Sequence, residues 1–231
     1  MRRISIIIPV YNDKLPLQTL LGHLKWAFNP ELLEVIVVDG GSTDNVEEVI
    51  PAQVKFLQTS KACRATQMNL GAKYAAGDIL YFVHADCLPP LTLVPDINGA
   101  IDQGHNVGCY RLRLTPSNWL LDLNSYFSRF KTVFSGGGDQ TLYLPKQVFE
   151  EAGGFNEDFC VMEDFELVHR LMPKYGYYIM PKDVIISSRK YDQNSYLRVN
   201  WANYRAFRMY RQQVPAHVIK DRYYGWLNPV K

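Results

Sequence analysis

The sequence predicts an α/β protein with a mostly parallel central sheet, flanked by helices and followed by a C-terminal helical extension. Short apolar runs of strand length recur in the first half, which is typical of strands buried on both faces. Segments with apolar residues at helical spacing separate these runs. Strands joined by helices of this length favour a parallel sheet with right-handed crossovers.

In the first half, the predicted strands cover residues 4–10, 33–38, 55–58 and 79–83. A helix begins near Pro16, a residue that suits a first helical turn. The glycine-rich turn 40–44 should lead into a second helix, with Ser42 or Thr43 as its N-cap. A third helix is expected from about residue 65 to residue 75.

The second half is less regular. Its predicted strands cover residues 107–114, 141–144, 177–180 and 184–187. Its predicted helices cover residues 119–130, 146–152, 163–174 and about 195–214. Without a repeat or a low-complexity linker, we expect one domain over residues 1–190 and a helical extension over 191–231 that packs on it.

Composition and charge are those of a soluble globular protein with an unusual tail. The 231 residues carry a formal charge of +2, but residues 189–231 have a net charge of +7 and the preceding body −5. This asymmetry predicts an anionic partner near the tail. No apolar run approaches the roughly 20 residues of a membrane-spanning helix, and the run 4–10 is too short for a signal peptide, so we expect a cytoplasmic protein.

The four cysteines lie far apart, with no Cys-x-x-Cys pair. This spacing indicates neither a zinc site nor a disulfide scaffold, and we expect free, mostly buried thiols in a reducing compartment.

Polar residues follow three predicted strands, namely Tyr11, Asp39 and the pair His84 and Asp86. Ligands of such sheets bind beyond the carboxyl ends of the strands, so these residues should meet at one edge. Tyr11 either stacks on a base or fills space. Asp39 either bonds the backbone of its own turn or accepts from a nucleobase or ribose.

His84 and Asp86 are two apart on an extended segment and point the same way, which suits half of a divalent-cation site as well as an ordinary strand end. On the predicted helix 163–174, Asp164 shares its stripe with apolar residues, whereas Glu163 falls on a face with Glu166 that looks solvated. Asp164 is therefore the inward acid, either a general base or an acid that stabilises the helix dipole.

Two nucleotide-binding motifs are missing after the first strand. Neither Gly-x-Gly-x-x-Gly nor Gly-x-x-x-x-Gly-Lys-Ser/Thr occurs there, which argues against a dehydrogenase and a P-loop kinase.

Six motifs occur in an order and spacing that resemble the family 2 glycosyltransferases with the GT-A fold. They are Ser5-Ile-Ile-Ile-Pro-Val-Tyr-Asn12, Val37-Val-Asp-Gly-Gly-Ser-Thr-Asp44, Gln67-Met-Asn-Leu-Gly71, Gly77-Asp-Ile-Leu-Tyr-Phe-Val-His-Ala-Asp86, Gly153-Gly-Phe155 and Glu163-Asp164. The resemblance covers roughly residues 4–190 and is greatest to the small bacterial branch associated with radical-SAM and selenium proteins.

This resemblance implies an inverting transfer of a sugar from a nucleotide-diphospho-sugar, such as a UDP- or GDP-sugar, to an acceptor hydroxyl. It implies a nucleotide pocket at Pro9, Tyr11 and Asp39, with Arg64 at the diphosphate. It also places the catalytic acids at Glu163 and Asp164, with Asp164 as the general base.

For the metal, the resemblance implies Mn²⁺ or Mg²⁺ on Asp86, the last position of the family's Asp-x-Asp motif. His84 replaces the first aspartate, and it either joins the metal, bonds the ribose or weakens the metal dependence. The resemblance puts Gly138, Asp139 and Gln140 on the acceptor side, under a glycine run that forms either a lid or a turn. Arg189 and Lys190 are either a clamp on the diphosphate or acceptor, or a solvated basic pair.

On the predicted tail helix, one stripe is expected to pack on the body: Tyr196, Val199, Phe207, Tyr210 and Val214. The other face is basic and aromatic: Arg198, Trp201, Arg205 and Arg208. That face suits an anionic membrane, another subunit or nucleic acid, although the acidic body argues against nucleic acid. We expect an acceptor that is either lipid-linked or membrane-proximal, and peripheral contact with an anionic membrane. The rival hypotheses are an inactive nucleotide- or sugar-binding module and a nucleotidyltransferase, although the latter lacks a basic glycine-rich loop after the first strand.

Overall fold

The computed structural model describes residues 1–27, 29, 31–132, 136 and 141–228. Eight strands form one sheet: β1 (Ile4–Val10), β2 (Leu33–Asp39), β3 (Lys55–Gln58), β4 (Ile79–Phe82), β5 (Cys87–Leu88), β6 (Gly108–Thr115), β7 (Leu142–Pro145) and β8 (Tyr178–Ser187). Eight helices surround it: α1 (Lys14–Leu24), α2 (Arg64–Tyr74), α3 (Leu93–Asp102), α4 (Trp119–Phe127), α5 (Lys146–Glu151), α6 (Glu163–Tyr175), α7 (Tyr196–Arg211) and α8 (Ala216–Trp226).

The strand order is β3-β2-β1-β4-β7-β6-β8-β5. Strands β1 to β4 are parallel, β7 runs antiparallel to β4 and β6, and β8 pairs parallel to β6 and antiparallel to β5. The predicted class, an α/β fold with a mostly parallel sheet and flanking helices, is confirmed.

Every residue of β1 is buried because the sheet is covered on both faces. Ile4, Ile6 and Ile8 pack in one hydrophobic cluster, and Ile7 packs in the other, against α2. Helix α2 lies close to the sheet at Gly71, where an added Cβ would overlap the Ile7 side chain. The core therefore fixes the edge at which the parallel strands end.

The ends of these strands form the rim at which Tyr11, Asp39, His84 and Asp86 are predicted to meet. In the register of the sheet, Val10, Asp39 and Gln58 lie side by side at the ends of β1, β2 and β3. The Gln67 amide of α2 donates to the carbonyls of Val10 (2.8 Å) and Val38 (2.7 Å), which ties the first two strand ends together.

Several predicted elements differ from the structure. The turn after β2 leads only to a single 3-10 turn, Val46–Val49, because Asn45 adopts a left-handed conformation (φ 56°) and the Ser42 hydroxyl donates to Asp39 rather than capping a helix. The two short strands near residue 180 are one strand, β8, whose register with β6 shifts between Tyr110 and Arg111. Elements β5, α3 and α8 were not predicted.

The tail forms a helical hairpin rather than one helix. Pro215 sits at the N-cap of α8, and the α7–α8 pair packs on Phe159 and Met162 through Ala206, Met209 and Ile219. Among the described residues, none of the helices has both the length and the apolar character needed to cross a bilayer.

The expectation of four free thiols was wrong for one pair. Cys63 and Cys160 are joined by a disulfide with a Cα–Cα distance of 4.9 Å, because the fold brings residues 97 apart in sequence together. Cys87 and Cys109 are buried thiols that form no disulfide, as expected.

Candidate active site

At the first strand ends, the Asp39 carboxylate is held by its own turn. The Ser42 backbone N–H lies 3.1 Å from both carboxylate oxygens, and the Ser42 hydroxyl donates to one of them at 2.5 Å. Asp39 is only 2% exposed, so these bonds offset the cost of burying its charge. Tyr11 is half-exposed next to this turn, and Pro9 is buried inside β1. The ring of Tyr11 is therefore accessible to a ligand, whereas Pro9 shapes the strand.

The segment after β4 meets the end of β8. Strand β5 pairs with β8, which brings Arg189, in the 3-10 turn Arg189–Tyr191, next to Asp86. The Arg189 guanidinium donates to both oxygens of Asp13 (2.6 and 2.7 Å) and to Asp86 Oδ2 (3.4 Å). One cation thus lies between two carboxylates. Asp13 was missed in the sequence, although it follows Tyr11 and Asn12 at the end of β1.

The predicted basic pair is divided between two roles. Lys190 Nζ donates to the Tyr223 hydroxyl of α8 (2.6 Å), which in turn donates to Asn203 of α7 (2.9 Å). Arg189 therefore binds the carboxylates of Asp13 and Asp86, whereas Lys190 contacts the helical extension.

Helix α6 begins with two buried acids. Its N-cap, Met162, has a left-handed backbone (φ 71°), and Glu163 and Asp164 are 2% and 4% exposed. The prediction that Glu163 lies on a solvated face was wrong, because its side chain is buried and faces Arg64 at the start of α2. Three residues earlier, the Cys63–Cys160 disulfide fixes this segment to the start of α2, where Arg64 lies.

The two acids at the start of α6 each lie near one nitrogen-bearing side chain, but at distances too long for a hydrogen bond. Arg64 Nη1 is 3.9 Å from Glu163 Oε1, and His84 Nε2 is 3.7 Å from Asp164 Oδ2. Both acceptor atoms are buried and accept no hydrogen bond from the described part of the chain. Burial, together with the neighbouring charge of Asp164, raises the pKa of Glu163 to about 7.

Electrostatics links these residues into one group. Desolvation lowers the pKa of Arg64, but the neighbouring acidic groups, first Glu163 and then Tyr224, Asp164 and Asp86, outweigh it and the net change is a rise. Arg64 therefore lies among carboxylates from α6 and from the strand end. The predicted positions Arg64, His84, Asp86, Glu163, Asp164 and Arg189 come together here.

The predicted acceptor-side residues Gly138, Asp139 and Gln140 lie outside the described residues. Gly136, just before them, has a left-handed backbone (φ 88°), and a Cβ added to it would lie 2.7 Å from Val168 Cγ1. Gly136 thus packs against Val168 of α6, one turn beyond Asp164.

The predicted basic face of the tail helix is partly used within the hairpin. Arg198 Nε donates to the Trp226 carbonyl (2.6 Å), and Trp201 packs edge-on against the Trp226 ring. Arg205 lies over both rings, at 5.2 and 5.6 Å from their centroids. Arg208 remains exposed.

The sequence is similar to curated glycosyltransferases. It is 26% identical over 116 residues to the undecaprenyl-phosphate 4-deoxy-4-formamido-L-arabinose transferase of Yersinia pestis (strain Pestoides F), a match that covers 46% of this chain and 36% of the relative. The match thus spans about a third of the relative's length.

Solved structures share the fold. Staphylococcus aureus TarS 1-349 in complex with UDP-GlcNAc has a TM-score of 0.65 and 19% identity, over 80% of this chain and 58% of that one. The mannosyltransferase PcManGT from Pyrobaculum calidifontis, in complex with GDP-Man and Mn²⁺, has a TM-score of 0.67 and 19% identity, over 92% and 64%. These similarities confirm the predicted GT-A-like architecture.

A sequence profile described as Glycosyl transferase family 2 matches residues 5–153. This stretch is more than half of the chain and includes the β1, β2 and β4 strand ends that form the rim. The resemblance seen in the motifs is therefore confirmed, and the chain belongs to glycosyl transferase family 2.

Proposed function

We propose that this protein is an inverting glycosyltransferase that moves a sugar from a nucleotide-diphospho-sugar to an acceptor hydroxyl. The observation that carries the proposal is the buried Oδ2 of Asp164, which accepts no hydrogen bond from the described residues and lies in the same charged region as Asp86 and Arg64. A buried acceptor atom without a donor is costly, and such costs are found mainly at functional sites. A hydroxyl group bound beside Asp164 would supply the missing donor.

The donor nucleoside is proposed to bind at the β1 and β2 strand ends. The half-exposed Tyr11 ring offers a stacking surface, and Asp39 has lone pairs beyond those that Ser42 uses. The TarS and PcManGT structures contain UDP-GlcNAc and GDP-Man, which supports a UDP- or GDP-sugar donor here.

A divalent cation would receive only one or two ligands from the protein in this region. No cluster of three or more potential His, Cys, Asp or Glu ligands exists within the described ranges, so these residues alone do not enclose a cation. Mg²⁺ and similar ions need only one or two carboxylates when substrate phosphates and water complete the shell. Asp86 would provide that carboxylate, with His84 nearby as an additional ligand, and the cation would neutralise charge on the leaving diphosphate.

The side chains of this chain account for the remaining chemistry. Asp164 accepts the proton of the acceptor hydroxyl, while the oxygen of that hydroxyl forms a bond to the anomeric carbon. The bond from that carbon to the diphosphate oxygen breaks, and the nucleoside diphosphate leaves with the electron pair. Arg64 and Arg189 lie where they would stabilise this developing negative charge. A single displacement of this kind inverts the anomeric configuration.

The acceptor is proposed to be lipid-linked, with Gly138, Asp139 and Gln140 on its side of the site. The name of the Yersinia relative includes undecaprenyl phosphate, which supports an acceptor on a membrane lipid. A cytoplasmic protein with peripheral contact to an anionic membrane would reach such an acceptor.

Thermal shift and calorimetry with UDP and GDP, each with and without Mn²⁺, test the donor site. We expect one nucleotide to raise Tm in a metal-dependent manner, because a ligand that binds only the native state stabilises it. The matching nucleotide-sugars are then incubated with a polyprenyl-linked sugar, and the anomeric configuration of the product is read by NMR. Metal-independent binding without turnover would instead support an inactive binding module.

A further inference from the structure

The α7–α8 hairpin contains a basic cavity that has no part in the candidate active site. The cavity has a volume of about 310 Å³, and Arg205, Arg208 and Gln212 of the α7 side and Arg222 of α8 line it. Met209, Val214 and Val218 complete the wall. No acidic residue lines it among the part of the chain that the structure describes.

The three arginines lack acidic partners. No ion pair or hydrogen bond joins their side chains to a carboxylate within the described ranges, whereas Arg2, Arg111 and Arg170 of the body each pair with an acid. Guanidinium groups stay charged at any physiological pH, so three of them around one cavity repel one another. An anion in the cavity would remove that repulsion.

The geometry favours an anion with several oxygens. Arg205 and Arg208 are one turn apart on α7, and Arg222 reaches the cavity from the other helix. Arg205 Cζ lies 5.2 and 5.6 Å from the centroids of the Trp201 and Trp226 rings, and these cation–π contacts restrict its guanidinium without using its N–H donors. Arginine donors from separate directions match the tetrahedral oxygens of a phosphate better than a planar carboxylate. The apolar wall would contact the carbon atoms of an ester.

We propose that this cavity binds the phosphate group of a phosphate ester, at a site separate from the donor site. The ester is either the headgroup of a membrane lipid or a soluble phosphate. Leu197, Trp201 and Tyr204 are exposed on the same helix, so a lipid headgroup would place apolar side chains against the bilayer.

The test compares two double variants with equal changes in charge. Arg208→Glu/Arg222→Glu alters the cavity. The control Lys61→Glu/Arg211→Glu alters two exposed residues that line a different hollow, near Glu157 and Asp158. Binding is measured to vesicles of phosphatidylglycerol mixed with phosphatidylcholine, to phosphatidylcholine alone, and to inorganic phosphate and glycerol phosphate by calorimetry.

For a lipid source, we expect wild type and control to bind the phosphatidylglycerol vesicles alike and the cavity variant to bind at least tenfold more weakly, since each basic residue near an anionic surface contributes appreciably. For a soluble source, the same tenfold loss appears in the calorimetry with phosphate or glycerol phosphate. Equal binding by the two variants with every probe, or no binding by wild type, would overturn the proposal.

Folding and the donor site are followed independently. Both target arginines are exposed, and circular dichroism together with the Arg208→Gln/Arg222→Gln variant shows whether a loss comes from unfolding. UDP or GDP binding should be unchanged in the cavity variants. Failure of nucleotide binding in wild type would contradict the proposed function, but it would not contradict phosphate binding in the cavity.

Discussion

Asp39 and Asp164 are both buried acids of the candidate site, but the fold satisfies their carboxylates to different degrees. Asp39 receives the backbone N–H and the hydroxyl of Ser42, three residues away. Asp164 Oδ2 receives no hydrogen bond from the described residues, and the His84 Nε2 atom is 3.7 Å away.

The two carboxylates are held in place by different kinds of contact. A tight turn supplies the donors for Asp39, so its geometry is complete without a ligand. Asp164 instead lies next to His84, which is distant in the sequence, and its Oδ2 accepts no hydrogen bond from the described residues, so a bound ligand would supply the donor. This difference supports the proposal that the first acid binds the donor and the second accepts the proton.

Asp164→Asn should show the largest effect. The amide cannot take the acceptor proton, so turnover should fall by roughly 10²–10⁴ while nucleotide affinity stays the same. Steady-state kinetics and calorimetry of the nucleoside diphosphate measure the two quantities. Asp158→Asn, an exposed acid of the segment before α6, serves as the matched control. Turnover close to wild type in Asp164→Asn would remove this residue from the role of base.

Asp86→Asn extends the comparison to the third acid. Asp86 lies beside Arg189 and would hold the cation on the diphosphate. Its loss should lower turnover by about 10²–10³ and abolish the metal dependence of nucleotide binding. Titration of the nucleotide with and without Mn²⁺ measures this, with the exposed Asp102→Asn as control. A metal dependence that persists unchanged would move the cation away from Asp86.

Glu163→Gln tests the electrostatics around Asp164 through pH. The pKa of Glu163 is raised from 4.5 to about 7 by burial and by Asp164, so the native state holds a proton that the unfolded state has released. Between these values stability should fall as pH rises, by roughly 3 kcal/mol at most. Glu163→Gln should lose this slope and be more stable than wild type above pH 7. Urea unfolding between pH 5 and pH 8 measures it, and identical slopes for the two proteins would contradict the assignment.

Asp39→Asn should show the smallest effect. The amide keeps one acceptor oxygen for Ser42 but loses the charge and the second acceptor, so the free energy of unfolding should fall by about 1–2 kcal/mol. Nucleotide affinity should weaken while turnover at saturating donor changes little. Thermal unfolding and nucleotide titration measure these effects. A collapse of turnover at saturating donor would show that Asp39 acts in the chemistry as well.

The first strand ends could be predicted from the sequence because their signals are local. The run ending at Val10 is apolar throughout, and the turn after Asp39 is rich in glycine. Both patterns describe backbone that is fixed within a few residues. The bounds of β1 and β3 match the structure for this reason.

Long-range contacts account for what the sequence did not reveal. Glu163 falls on a polar helical face, yet it is buried beside Arg64, which is distant in the sequence. The Cys63–Cys160 pair has no spacing signature, since 97 residues separate the two cysteines. Helix α8 mixes aromatic and basic residues after Pro215, so its pattern shows no continuous apolar stripe.

The central claim is that Asp86, Arg64, Arg189 and Asp164 surround one diphosphate site. A crystal structure with Mg²⁺ and whichever of UDP and GDP binds more tightly tests it most directly. We predict the cation about 2.1 Å from an Asp86 oxygen, with the β-phosphate between Arg64 and Arg189 and open space next to Asp164 Oδ2. A nucleotide bound away from this group of residues, or a diphosphate separated from Asp164 by packed protein, would contradict the account.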